Sequence, residues 1–140
     1  MNLPIKKFSY SCFSISSYVA NINVLNNQLP IIGGDKVGLV IEDGIDTFLT
    51  SGTLTISDPD PNESLFKEVL GTSLIGKYGT FTFDNLTGKW TYILDNSNSY
   101  VQALGQDQQI SDFLRVDSFD GTQNVNINVT IIGTNDAPIL

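Results

Sequence analysis

The feature that most constrains the fold is a strict alternation of apolar and polar side chains near the C-terminal end of the chain. Val125, Ile127, Val129 and Ile131 alternate with Asn124, Asn126, Asn128 and Thr130. Successive side chains of a strand point to opposite faces, so this segment predicts a β-strand with one buried and one solvent-exposed face. Gly133 ends the strand, and the oxygen-rich segment Thr134–Pro138 follows it.

Shorter segments of the same kind, separated by turn residues, come before this strand. The predicted strands are Val37–Ile41, Gly52–Ser57, a weak strand Phe66–Leu70, Gly79–Asp84, Lys89–Leu94 and Ile110–Val116. Asn85–Gly88 is predicted to join two aromatic strands as a hairpin, and Ser99–Leu104 to form one helical turn that inserts Val101 and Leu104 into the core. About seven short strands with no long helical pattern predict an all-β, antiparallel β-sandwich.

Composition limits the classes of partner. The chain of 140 residues suits one domain, and its single cysteine excludes an intrachain disulfide, so a metal ion is the natural alternative crosslink. Residues 35–140 hold all fifteen acidic residues against five basic ones, a net charge of −10. This charge argues against nucleic acid as a partner, and the lack of an apolar run of about 18 residues argues against membrane insertion.

The sequence offers little for catalysis. The chain has no histidine, which excludes histidine-dependent triads and zinc–histidine sites. Cys12 has no base beside it, and a carboxylate pair such as Asp84 with Glu68 would need a deep pocket. The chain is therefore predicted not to be an enzyme.

The acidic residues suggest a metal site instead. Asp58 and Asp60 lie in a loop that Pro59 and Pro61 restrain, so their carboxylates can converge, and converging like charges cost free energy unless a cation lies between them. Hard oxygen ligands in irregular geometry suit Ca²⁺ better than Mg²⁺. Further acids stand where predicted strands end, and strand ends of a sandwich gather at two poles: Glu42, Asp95, Asp117 or Asp120, and Asp136.

Several motifs, in order along residues 33–138, resemble the VCBS repeat. They are Glu42–Gly44, Gly52–Asp60, Tyr78–Phe83, Gly88–Asn96, Val101–Leu104, Asp120–Gly121 and Gly133–Pro138. This repeat occurs in tandem in large bacterial surface and secreted adhesins, including RTX-type proteins, and is similar to cadherin domains. The resemblance implies an Ig-like or cadherin-like sandwich over residues 33–138, neighbouring tandem repeats as partners, and a secreted or cell-surface location in bacteria. Residues 1–32 are then interpreted as an irregular leader or the remnant of a preceding repeat, and the single repeat as a fragment of a larger gene product.

The likeness to cadherins also implies which acids share an end of the domain. Glu42, Asp95, Asn135 and Asp136 would form the C-terminal pole. Asp58, Asp60 and either Asp117 or Asp120 would form the N-terminal pole and bind calcium together with the linker Asn26–Pro30. This linker is similar to the Asn-Asp-Asn-X-Pro linker of the family but lacks its aspartate.

Two functions remain open from the sequence. The first is a calcium-stabilised structural or adhesive repeat module, acting in cell adhesion with host-cell or matrix glycans and proteins as further partners. The alternative is a carbohydrate- or protein-binding β-sandwich module without metal, in which exposed aromatic rings stack on a ligand: Tyr78, Tyr100 or Phe119. The exposure of these rings separates the two, because rings that pack inward leave no binding surface.

Overall fold

Two facing β-sheets form the body of the protein. The computed structural model describes residues 26–135. The strands are β1 (Ile31–Gly34), β2 (Val37–Ile41), β3 (Leu49–Ser57), β4 (Gly79–Phe83), β5 (Lys89–Leu94), β6 (Gln109–Asp117) and β7 (Asn124–Ile132). A 3-10 turn covers Gly71–Leu74, and a one-turn helix, α1, covers Ser99–Gln102. No helix among residues 26–135 has the length and apolar character needed to cross a membrane.

One sheet has the order β1-β3-β5-β4, and the other has the order β2-β7-β6. The prediction of an all-β sandwich of about seven strands is confirmed. One pair, β2 with β7, is parallel, whereas every other pair is antiparallel. The chain changes sheets between β1 and β2, where Gly34 has a positive φ of 88°, and β2 then lies alongside β7.

The core lies between the two sheets and is built as the alternation predicts. Along β7 the side chains of Ile127, Val129 and Ile131 are fully buried, whereas the alternating residues Asn124, Asn126 and Asn128 are exposed. The largest fully buried side chains are Trp90, Tyr92, Phe66 and Phe81, and the Phe81 and Tyr92 rings lie 4.7 Å apart. Val101 of α1 and Leu104 close one end of this core, as expected from the sequence.

Two elements differ from the sequence prediction. Phe66–Leu70 is not a strand; only Phe66 forms an isolated bridge, with Ser118. Phe66 is held by core packing, and it meets the chain just beyond the end of β6 at Asp117, so within residues 26–135 the pairing does not extend beyond this bridge. In its place β1 supplies the seventh strand, pairing Ile31 with Ser57 and Gly34 with Leu54. The structured part of the chain therefore starts before residue 33, and the predicted leader is described only from Asn26 onward.

Candidate metal site at the N-terminal pole

Three chain segments meet at one end of the sandwich because of how the strands pair. The β1–β3 register sets Ile31 against Ser57, so the linker before β1 lies beside the loop that follows β3. The turn before β7 joins the same loop, since Phe66 bridges Ser118 and the Phe119 amide donates to the Leu65 carbonyl at 2.9 Å. These segments form the N-terminal pole.

Three carboxylates converge at this pole. One oxygen from each of Asp58, Asp60 and Glu63 lies within 4.8 Å of the other two, an arrangement that could hold a metal ion. Asp58 and Asp60 were predicted to share a site, and the structure brings them together. Glu63 was not predicted. The sequence did carry a signal for it, because Glu63 follows Asp60 by three residues in the same proline-restrained loop.

The local fold fixes the Asp58 carboxylate. Its Oδ1 accepts a hydrogen bond from the Asp60 amide at 2.9 Å, which makes a tight turn over Pro59. Ser64 closes the loop, because its hydroxyl accepts from the Asp58 amide at 2.8 Å and donates to the Asp58 carbonyl at 3.2 Å. The Asp58 side chain is thus positioned by its own loop and is 8% exposed.

Two oxygens of the cluster are buried without a hydrogen-bond donor among the described residues: Asp58 Oδ2 and Glu63 Oε1. A buried carboxylate oxygen without a partner is costly, and a cation is the natural partner for two such oxygens that lie close together. The side chains present therefore fit an oxygen-coordinated divalent ion. They supply three carboxylate ligands, fewer than the six to eight oxygens that Ca²⁺ takes.

The charge of the cluster alters the pKa of Glu63. Desolvation of the side chain raises this pKa above its ordinary value of 4.5, and the neighbouring charges of Asp58, Asp60 and Asp120 raise it further. Asp120 is therefore close enough to interact electrostatically with the cluster. Holding these carboxylates close together costs electrostatic free energy, and either protonation or a bound cation would lower that cost.

Asp120 has a different set of contacts from the other three acids. Its oxygens accept hydrogen bonds from the Ser118 hydroxyl, from the amide and hydroxyl of Thr122, and from Asn27 Nδ2 at 2.9 Å. Desolvation works in the opposite direction, but these bonds outweigh it and hold the pKa of Asp120 well below its ordinary value of 3.8. Asp120 is a charged acceptor that binds the linker.

The linker contacts the cluster directly as well. The Gln28 amide donates to Asp60 Oδ2 at 2.8 Å, next to the bond between Asn27 and Asp120. Pro30 is buried immediately before β1, which fixes the end of the linker against the body. The predicted linker Asn26–Pro30 therefore reaches the predicted acids, although it lacks an aspartate of its own.

Asp117, the alternative to Asp120 in the sequence prediction, has another partner. Its Oδ1 lies 3.0 Å from Arg115 Nε, so the two side chains form an ion pair. Its carbonyl accepts from the Lys67 amide at 2.9 Å. The structure therefore places Asp120, and not Asp117, next to the three converging carboxylates.

The residues predicted to form the C-terminal pole have separate hydrogen-bond partners. Glu42 is fully buried, and its Oε1 accepts from the Thr134 amide at 2.9 Å, so it does lie beside the segment that leads to Asn135. Asp95 is exposed, and its Oδ1 accepts from the hydroxyl and amide of Ser97, which lowers its pKa. The amide of Asn135 donates to Gln106 Oε1 at 2.9 Å. Asp136 lies outside the described residues, and within residues 26–135 no group of three acids gathers at this end.

Comparison with protein-family models gives no match to the chain, and no curated protein matches it. The case for a function therefore rests on the geometry above and on the motifs of the sequence.

Proposed function

We propose that this chain is a calcium-stabilised, VCBS-type structural module of a bacterial extracellular or surface protein, which acts as a spacer or adhesive unit between neighbouring repeats. The observation that carries the proposal is the convergence of Asp58, Asp60 and Glu63, in which two buried carboxylate oxygens have no donor from residues 26–135. The contact of the same carboxylates with the linker supports a role at a junction between units.

The mechanism follows from the charges. Without a cation the three carboxylates repel one another, and the linker is held by two hydrogen bonds to exposed groups. A calcium ion held by Asp58, Asp60 and Glu63 would remove this repulsion. Asn27 and Gln28 of the linker hydrogen-bond Asp120 and Asp60, so the linker would be placed to supply further oxygen ligands. Binding would then fix the direction in which the chain enters the domain. Extracellular modules bind calcium with Kd values of about 10⁻⁴–10⁻³ M, so the site would be filled outside the cell and empty inside it.

Calcium is expected to raise the thermal stability of the full chain. If Kd is ~10⁻⁴ M, calcium at ~10 mM stands near 100 Kd and adds about 2.7 kcal/mol to the free energy of unfolding. For a domain of this size the melting temperature should rise by roughly 10 °C. The measurement is isothermal titration with calcium and with magnesium, beside melting curves with calcium and with chelator, and calcium should bind more tightly.

The Asp58→Asn variant should lose both the binding heat and the stabilisation by calcium. Asp117→Asn is the matched control, because it removes one charge close to the same pole but outside the three converging carboxylates. The proposal fails if the unmodified chain shows no binding heat and no change in melting, or if Asp117→Asn removes binding as completely as Asp58→Asn.

The raised pKa of Glu63 predicts a pH dependence with a definite sign. A carboxyl group whose pKa is higher in the folded state contributes stability below its unfolded pKa, and this contribution is lost as the pH rises through the folded value. In chelator, Glu63→Gln should therefore be more stable than the unmodified chain at neutral pH and equal to it well below pH 4.5. Denaturant unfolding over this range measures the difference.

With calcium at neutral pH the order of stability should be reversed: the unmodified chain should be more stable than Glu63→Gln, because this variant has lost a ligand. If the unmodified chain were instead more stable than Glu63→Gln in chelator at neutral pH, the three carboxylates would not be repelling one another.

A further inference from the structure

A small surface cavity is formed by residues outside the loop Asp58–Glu63, hereafter the acidic loop. Its volume is about 380 Å³, and it is lined by Lys77, Tyr78, Asn98 and Tyr100. This volume falls within the range of ~300–1,000 Å³ that small-molecule sites occupy. The lining combines two aromatic rings with an ammonium group and an amide.

Tyr100 is exposed to solvent, while the backbone of α1 that carries it is held in place. Its side chain is 73% exposed, although the residue lies in α1, whose next residue, Val101, is fully buried in the core. The Asn98 side chain caps the helix by accepting from the amides of Tyr100 at 2.8 Å and Val101 at 3.3 Å. The backbone that carries the ring is therefore already ordered, so ligand binding does not have to order it.

The opposite wall is anchored to the body of the protein. The amides of Lys77 and Tyr78 donate to the two oxygens of the buried Asp112 carboxylate at 3.0 and 2.9 Å. The Tyr78 carbonyl accepts from the Asp95 amide at 2.8 Å, so the backbone of this residue is fixed from both sides. Lys77 Nζ lies 6.0 Å from the centre of the Tyr78 ring, near the outer limit for a cation–π contact.

The two walls are joined across the cavity by one hydrogen bond. Asn98 Nδ2 donates to the Lys77 carbonyl at 3.3 Å, so the residue that caps α1 also holds the segment before β4. Both aromatic rings are thus carried by backbone that packing and hydrogen bonds have already placed. Such preorganisation is what a binding site on a rigid scaffold requires.

We propose that this cavity, hereafter the tyrosine cavity, binds the pyranose ring of a neutral carbohydrate. A pyranose has an apolar C–H face that suits an aromatic ring and an edge of hydroxyl groups. The exposed Tyr100 ring offers the face, while the Lys77 ammonium and the hydroxyl of Tyr78, whose half-buried ring packs against the core, can hydrogen-bond the edge. Neutral sugars fit better than acidic ones, because the chain carries a net charge of −8 and the lining supplies a single positive group. A protein partner would need an interface of roughly 1,000 Å² or more, which a cavity of this size does not offer.

The test uses the full chain labelled with ¹⁵N and the methyl pyranosides of glucose, galactose and N-acetylglucosamine, together with cellohexaose and chitohexaose. At least one of these probes should shift the amide signals of Lys77, Tyr78 and Tyr100 with saturable dependence on concentration. Tyr100→Ala should weaken that binding at least about tenfold, which is typical for loss of an aromatic anchor. Because Tyr100 is so exposed, this variant should fold and melt like the unmodified chain.

Phe119→Ala is the matched control, since Phe119 is 48% exposed but belongs to the turn next to the acidic loop. It should bind the same probe with unchanged affinity, and chelator should leave the affinity unchanged as well. The outcome is therefore separate from that of the calcium experiment. The proposal is overturned if no probe shifts these amides at about 10 mM, a concentration that would reveal even weak binding. Binding that survives Tyr100→Ala, or that Phe119→Ala weakens equally, would also overturn it.

Discussion

Replacement of Trp90 by alanine should lower the free energy of unfolding by about 3–5 kcal/mol, the range for loss of a large buried aromatic side chain. Trp90 is 1% exposed, and it lies near the start of β5 with its ring between the two sheets. Its ring occupies space that two glycines leave open, since a Cβ atom would lie 3.0 Å from the indole at Gly38 and 2.7 Å from it at Gly52. The glycines themselves have no side chain that could move into the space that alanine would leave.

The indole also ties the sheets together by a hydrogen bond. Trp90 Nε1 donates to the Asp35 carbonyl at 2.8 Å, in the segment where the chain passes from β1 to β2. Trp90→Phe keeps part of the ring but loses this bond, so its loss of stability should be intermediate.

Denaturant unfolding at neutral pH measures both variants. Phe113→Ala is the control, because Phe113 is 58% exposed on β6 and its removal should change the free energy of unfolding by about 0.5 kcal/mol or less. If the free energies of unfolding of Trp90→Ala and Phe113→Ala differed by no more than the error of the measurement, Trp90 would not be a central part of the core.

Sequence patterns predicted most of the strands because those strands have one buried and one exposed face. β7 and the β4–β5 hairpin are found where alternation and turn residues place them. β1 was missed, because Ile31-Ile32-Gly33-Gly34 has no alternation and two residues of low strand propensity. It is a strand because β3 offers a partner for it, which is a long-range cause that no local pattern carries. Phe66–Leu70 is the reverse case: local composition suggested a strand, but within residues 26–135 only Phe66 pairs with another segment, in its bridge to Ser118.

The part of the candidate site that depends on local sequence could be predicted, whereas the part that depends on strand pairing could not. The nearness of Asp58 and Asp60 follows from a loop of two prolines, which is a local property. The choice between Asp117 and Asp120 depends on Arg115, whose position on β6 brings its side chain to Asp117. The contact of Asn27 with Asp120 spans 93 residues and follows from the pairing of β1 with β3, which the sequence did not disclose.

One buried carboxylate has no counterpart in the sequence prediction. Asp112 is 4% exposed and faces inward from β6, which is an edge strand of its sheet. It accepts hydrogen bonds from the amides of Lys77, Tyr78 and Phe113 and from the Tyr92 hydroxyl at 3.0 Å. Burial and the neighbouring Asp112 charge raise the pKa of Tyr92 far above its ordinary value, so this hydroxyl stays protonated and remains a donor. An inward-facing charge on an edge strand also discourages pairing with another chain.

Replacement of Asp112 by alanine should therefore cost about 3 kcal/mol or more, because it leaves several buried donors without an acceptor at ~1–3 kcal/mol each. Asp112→Asn keeps one carbonyl oxygen as an acceptor, so its loss should be smaller. Asp46→Ala, which removes an exposed carboxylate, is the control and should change the free energy of unfolding by about 0.5 kcal/mol or less. Denaturant unfolding gives these values at neutral pH.

The same variant separates the two proposals, because Asp112 holds the wall of the tyrosine cavity but lies outside the acidic loop. In Asp112→Asn, hydrogen exchange at the Lys77 and Tyr78 amides should be faster, and the affinity for the carbohydrate probe should fall. The calcium titration should be unchanged, since the Asp58 loop is positioned by Ser64 and by its own backbone. If Asp112→Ala were as stable as Asp46→Ala, the carboxylate would not be the anchor of this segment. Equal losses of calcium and carbohydrate binding in Asp112→Asn would mean that the two sites are not independent.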